Sequence, residues 1–231
     1  MKQQGGVGIG KSLLANKGSF MVAASGYLEA VYAAAGSSLL KSDETITSLV
    51  PQGPGAYRTY MERGEAAFRT GDFAKAFDEF RLANSISWHN PESLLSLLHA
   101  RLALDRYSYA RAAFYFREAL RYLPELPLVP LQPKGFYGNR ARYVDHLMRL
   151  EAYVRKHPND SDAAMVLTYL HWFDNRTDSA RQALAGALAS ANNPDQIEAI
   201  ETFWDGMVAS GKVSGKLLPE ARPATAPSVS E

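Results

Sequence analysis

Between about residues 57 and 210, small and large apolar residues recur in a fixed order and at fixed distances. Gly64 is followed after nine residues by Phe73, then by Ala76, Phe80 and Ala83. Ala100 is followed at the same intervals by Tyr109, Ala112, Phe116 and Ala119, with Pro124 five further on. Thr168 opens another copy with Thr177, Ala180, Leu184 and Ala187. The starts lie 36 and then 68 residues apart, and 68 is twice 34, so a degenerate unit is expected in between, at Tyr143, Leu150, Tyr153 and Pro158. Each unit reads as two helices in a hairpin. Gly64, Ala76, Ala100 and Ala112 sit where two helices must approach closely, while Phe80, Tyr109 and Phe116 fill the space between successive hairpins. Ala83 and Ala119 lie one helical turn beyond an aromatic on the same face, which gives one apolar stripe per helix. A single hairpin cannot bury that stripe, but stacked neighbours can.

This order of small, aromatic, Ala, aromatic, Ala and Pro at a 34-residue period resembles the tetratricopeptide repeat (TPR), over roughly residues 57 to 210. The resemblance implies an all-α fold: an α-solenoid of antiparallel helix hairpins with about 3.5 repeats. It also implies a partner-binding scaffold and no catalytic residues. In such superhelices the first helix of each hairpin lines the concave face, with side chains at i, i+4 and i+7 pointing in. Here those are Met61, Glu65 and Phe68 with Arg69; Leu97, Arg101 and Leu104; and Met165, Tyr169 and Trp172 with Phe173. Family members that grip a terminal carboxylate use Lys and Asn in these places. Apolar and aromatic residues stand there instead, so the expected ligand is an apolar helix or an extended peptide, oriented by Arg69 and Arg101. The alternative is that Trp172 and Phe173 complete the core against the last helix.

The chain divides into residues 1–55, the repeats over 56–210, and a tail over 211–231. The tail, with Pro219, Pro223 and Pro227 among Ser and Ala, holds too little apolar surface to offset its ordering entropy and is expected to be disordered. Within the repeats, prolines at 124, 127, 130 and 133 forbid a continuous helix, so residues 123–140 are expected to cross as an irregular strap. The strap carries Leu126, Leu128, Val129, Leu131, Phe136 and Tyr137 and must bury them, over its own repeats or against a partner. The former is the expectation. A helix is expected from about Ala141 to Lys156, stopped by His157-Pro158.

Residues 19–41 are mostly apolar and Ala-rich and admit three readings. A membrane span needs about 20 strongly apolar residues, and Glu29 with Gly, Ser and Tyr nearby makes this one marginal. A secretory signal would need an unbroken apolar core nearer a charged start. The favoured reading is a helix packed on protein, with Gly26, Ala30 and Ala34 forming a small-residue groove beside Tyr27 and Val31. Ahead of it, Gly5 to Ser12 matches G-x-x-x-x-G-K-[ST], the loop that cradles nucleotide phosphates. The context such a loop needs, a buried strand before it and a parallel sheet around it, is missing, so a Gly-rich arm is preferred over a nucleotide binder.

Charge and composition narrow the field further. Among 231 residues, Lys plus Arg number 25 and Asp plus Glu 24, which leaves +1 and no concentrated basic face of the kind nucleic acid requires. Arg111, Arg117 and Arg121 share one helix and read as a solvated face balanced by Glu118. No cysteine is present, which rules out disulfides, thiolate catalysis and cysteine-ligated zinc. His146 and His171 read as core or surface histidines, the pair His171 and Asp174 being a weak metal signal. No ordered catalytic set appears and no cofactor is expected. The expected function is therefore an interaction or assembly subunit that docks a protein partner through the N-terminal segment or the groove. A membrane-attached assembly factor anchored by 19–41 is the alternative, and the Ala-rich composition reads as bacterial.

Overall fold

In the computed structural model, residue 39 and residues 44–105 and 107–217 are described. Nine α-helices account for most of them: α1 (Ala56–Thr70), α2 (Phe73–Ile86), α3 (Pro91–Leu104), α4 (Ala110–Tyr122), the single turn α5 (Pro133–Phe136), α6 (Arg140–Lys156), α7 (Ser161–Phe173), α8 (Thr177–Ser190) and α9 (Pro194–Ala209). A 3-10 turn covers Leu126–Leu128. Among the described residues the only β pairing is one parallel bridge between Ile46 and Leu131.

Local chemistry sets the helix ends. Asn90, Asp160 and Asn193 accept at their side chains from Glu92, Ala163 and Gln196 amides, and Pro91 and Pro194 stand in the first turn, where a missing amide costs nothing. The α1–α2 turn needs a left-handed residue, supplied by Gly71 at φ 91°, whose amide returns to the Ala67 and Phe68 carbonyls. Asn175, at φ 58°, does the same between α7 and α8. Both stand seven residues after the small residue that opens their unit, Gly64 and Thr168.

The helices pair as antiparallel hairpins α1–α2, α3–α4 and α7–α8, with α2 packed on α3. The second-helix recurrent positions are buried, Ala76, Phe80 and Ala83; Ala112, Phe116 and Ala119; Ala180, Leu184 and Ala187, while Phe73 and Thr177 at the helix starts are half-buried. The small opening residue is a contact requirement, since a Cβ on Gly64 would run into the Phe80 ring. Helices α3 and α7 are apolar almost all round, as Leu94, Leu95, Leu97 and Leu98, then Met165, Val166, Leu167 and Leu170 indicate. They are buried on all sides accordingly. Helix α9 closes the pile against α4 and α8.

Residues 123–160 form an excursion. Helix α4 packs directly on α7, and Arg117 pairs with Asp162 across the interface. The unit expected between them lacks its first helix, and its second is found as α6, which packs on α7 and on α5 and meets Tyr109 through Tyr153, ring centroids 5.0 Å apart. The physical reason is the proline run, which removes the first helix this unit would need as a partner. Of the tail, residues 211–217 are described, and Val213 and Leu217 pack against the core. The remainder of the tail, the Gly-rich arm and residues 19–38 lie outside the described residues, as do Gly26, Tyr27, Ala30, Val31 and Ala34.

Two glycines make the packing testable. Gly64→Ala forces a methyl into the Phe80 ring and is expected to lower the unfolding free energy by about 1–3 kcal/mol. Gly186 lies mid-helix in α8 with nothing near its missing Cβ, so Gly186→Ala is expected to raise it by about 0.5–1 kcal/mol. Urea unfolding of both variants gives the signs.

Candidate functional site

The face formed by the first helices, α1, α3 and α7, carries the residues expected to line a groove. Met61, Phe68, Leu97, Met165, Tyr169 and Trp172 are buried, as is Phe173. Glu65, Arg101 and Leu104 are half-buried and Arg69 is exposed. The groove expected from these residues is therefore not open along its length, because two segments of the same chain cover its lining.

The first segment is the strap between α4 and α6. Its apolar side chains turn inward: Leu126, Val129, Leu131, Phe136 and Tyr137 are buried, while Leu128 points to solvent at 47% exposure. At the α7 end, the Trp172 indole Nε1 donates to the Pro127 carbonyl at 2.9 Å. At the α1 and α3 end, Tyr137 meets Phe68 edge-on with ring centroids 4.7 Å apart, and Phe136 meets His99 at 5.1 Å. The strap thus crosses the whole first-helix face from α7 to α1.

The second segment is residues 44–50. The Ile46 amide donates to the Pro130 carbonyl at 2.8 Å, and the Gln132 amide returns to the Ile46 carbonyl at 2.9 Å. Arg69 Nη2 donates to the Thr47 carbonyl at 3.3 Å while its Nε pairs with Glu65. The Ser48 hydroxyl donates to the Glu65 carboxylate, and Leu49 is buried. Arg69, expected to orient a ligand, orients this stretch of its own chain. Arg101 does not join it: its guanidinium lies 3.9 Å from the Phe77 ring centroid and pairs with Asp105.

Beneath both segments lies a buried aromatic and histidine cluster. His99 Nε2 and the Tyr169 hydroxyl are 2.9 Å apart, and the Tyr137 hydroxyl lies 3.2 Å from His146 Nδ1. The Tyr143 hydroxyl donates to Asp174 at 2.8 Å. Burial pushes the His99 imidazole down to about 3, with His146 adding to the effect, so His99 is neutral at ordinary pH. Burial raises the Tyr137, Tyr143 and Tyr169 phenols, which stay protonated and serve as hydrogen-bonding groups rather than bases. His99 Nδ1 has no hydrogen-bond partner. A cavity of about 20 Å³, enough for one water, adjoins it, lined by Leu49, Met61, Phe68, Phe80 and Phe136 among others.

The arrangement offers shape and hydrogen bonding. His171 faces Glu151 and Arg176, and Asp174 accepts from Tyr143, so the weak metal pair is spent on other contacts. Among the described residues no group of three or more His, Asp or Glu could hold a metal ion. No described helix is long and apolar enough to cross a membrane. The segment 44–50 is the feature that sequence reasoning overlooked. Its signal was the β-branched run Thr45-Ile46-Thr47 ahead of Ser48-Leu49-Val50, a strand-like stretch.

Comparison with protein-family models and with curated proteins finds no match to this chain.

Two measurements probe the cluster. On acidification the unfolded chain takes up a proton at the His99 position before the folded one does. Stability should therefore fall as pH drops from about 6.5 towards 3, by up to about 1.4 kcal/mol per pH unit from this residue. His99→Gln, which cannot titrate, is expected to flatten that slope in urea unfolding run across the same window. Trp172→Phe leaves the Pro127 carbonyl without its donor and should cost about 1–3 kcal/mol by the same assay.

Proposed function

We propose that this chain is an α-solenoid of tetratricopeptide-like hairpins that works as a non-catalytic interaction scaffold or assembly subunit, receiving a protein partner on its first-helix face. One observation carries the reading: that face already holds two segments of its own chain, the irregular strap and the extended residues 44–50, through apolar side chains and through side-chain donors to main-chain carbonyls, Trp172 to Pro127 and Arg69 to Thr47. A surface that accepts extended chain in this way has the chemistry of peptide recognition, in which main-chain bonds give affinity and pockets read alternate side chains. The hairpin pairing, the buried recurrent positions and the left-handed turns at Gly71 and Asn175 support the repeat assignment. Helix-docking by residues 26–34 belongs to the same proposal.

A photo-crosslinking amino acid at Arg69, on the first-helix face, and at Gln182, exposed on α8, tests this in cells. A discrete adduct to another protein at position 69 and none at 182 is the expected outcome. No adduct at 69, or equal labelling at both, removes the face as the partner site.

A further inference from the structure

Residues 44–50 do not behave as part of a helix pile. They lie extended, and two backbone hydrogen bonds join them to the strap at Ile46. The first helices hold them through the Ser48 hydroxyl on Glu65 and the Thr47 carbonyl under Arg69, with Leu49 buried and Ile46 and Val50 packed at the edge of the core. The connection to α1 is Pro51-Gln52-Gly53-Pro54-Gly55, with Gly53 at φ 91° and Gly55 at φ 138°, and α1 begins without a side-chain cap. A joint of this kind can reopen without disturbing a helix. A cavity of about 20 Å³ lies beside Leu49 and Val50, with His99 in its lining.

We propose that the slot between α1, α3 and the strap is a peptide site that residues 44–50 occupy in cis, so that a partner's extended segment binds by displacing them. The chemistry of the occupant defines the partner. It carries a β-branched residue at the Ile46 place, a hydroxyl two residues on that donates to Glu65, and an apolar residue next, larger than leucine, that reaches the cavity. Tethering by a five-residue joint holds the cis segment at a millimolar or higher effective concentration, so a matching peptide competes poorly until the segment is released. The inference rests on the scaffold reading but fails separately from it: a missing crosslink at position 69 sinks the scaffold, whereas the experiment below reads occupancy of one slot.

A fluorescein-labelled peptide with the sequence of residues 44–50 is titrated, by anisotropy, against the full chain and against its Leu49→Asp variant. Amide exchange at Gln132, which donates to the Ile46 carbonyl, reports whether the segment is seated. Expected are an opened Gln132 amide in Leu49→Asp, peptide binding at least about tenfold tighter than to the unaltered chain, and renewed protection of Gln132 once peptide is bound. Homoleucine at the Leu49 place of the peptide should tighten binding about fourfold, one buried methylene. Circular dichroism checks that Leu49→Asp keeps its helices. If it does not, Ser48→Asp, which sets a second carboxylate against Glu65, takes its place. An opened Gln132 amide with no gain in peptide binding overturns the proposal. So does equal binding to both chains, or a Gln132 amide that stays protected in both variants, because the segment is then not displaceable.

Discussion

Four prolines between positions 124 and 133 withhold four amide donors and forbid the helix that the repeat pattern calls for at that point. Much of the molecule is arranged around that constraint. The strap closes only short turns upon itself, such as Val129 to the Leu126 carbonyl, and other carbonyls take donors from elsewhere: Pro127 from the Trp172 indole, Pro130 from the Ile46 amide. Its apolar side chains must leave water as well, and the nearest large apolar surface is the first-helix face of its own hairpins. A sequence that breaks one helix thereby builds a cover over three others.

That cover explains the buried histidines. His99 lies on a helix that is buried on almost every side. It is tolerated because Tyr169 meets one ring nitrogen and because the neutral form avoids placing a charge in an apolar interior. Tyr137 and His146 answer each other in the same layer, and the edge-on contacts among Phe68, Tyr137 and His99 fill the space between strap and helices. Polar groups in this position favour one seating of the strap over others that would bury the same area, since a shifted strap would leave them unpaired.

How much of this the sequence disclosed varies by residue. The helical positions were legible because period and residue size are local properties: the helix expected from Ala141 to Lys156 is found as Arg140–Lys156, and the recurrent Ala positions are buried with Phe80 and Phe116. What the spacing along the first helices left unread is the cover that two segments of the same chain place over them. The spacing Met61, Glu65, Phe68 states which way side chains point, not which distant segment lies on top of them. The continuous apolar runs of α3 and α7 held the hint, because a helix that lines an open groove would keep a polar edge. The unit around Tyr143 keeps only its second helix, Arg140–Lys156, and the direct packing of α4 on α7 beside it was not legible, because spacing counts residues along the chain and says nothing about which hairpins adjoin in space. Residues 44–50 went unnoticed because an isolated bridge has no period at all.

The direct packing of α4 on α7 has a consequence for how the chain reaches its fold. Consecutive hairpins ordinarily join through short connections, which lets structure spread from neighbour to neighbour. Here the Arg117–Asp162 pair closes a loop of 45 residues, an entropic cost about 2 kcal/mol greater than that of a connection of about five. Joining the α1–α4 block to the α7–α9 block across the strap therefore carries a larger entropic cost than closing the hairpins within either block. During synthesis the first block emerges complete while the strap is still leaving the ribosome. In that interval α1 and α3 have residues 44–50 as their only cover.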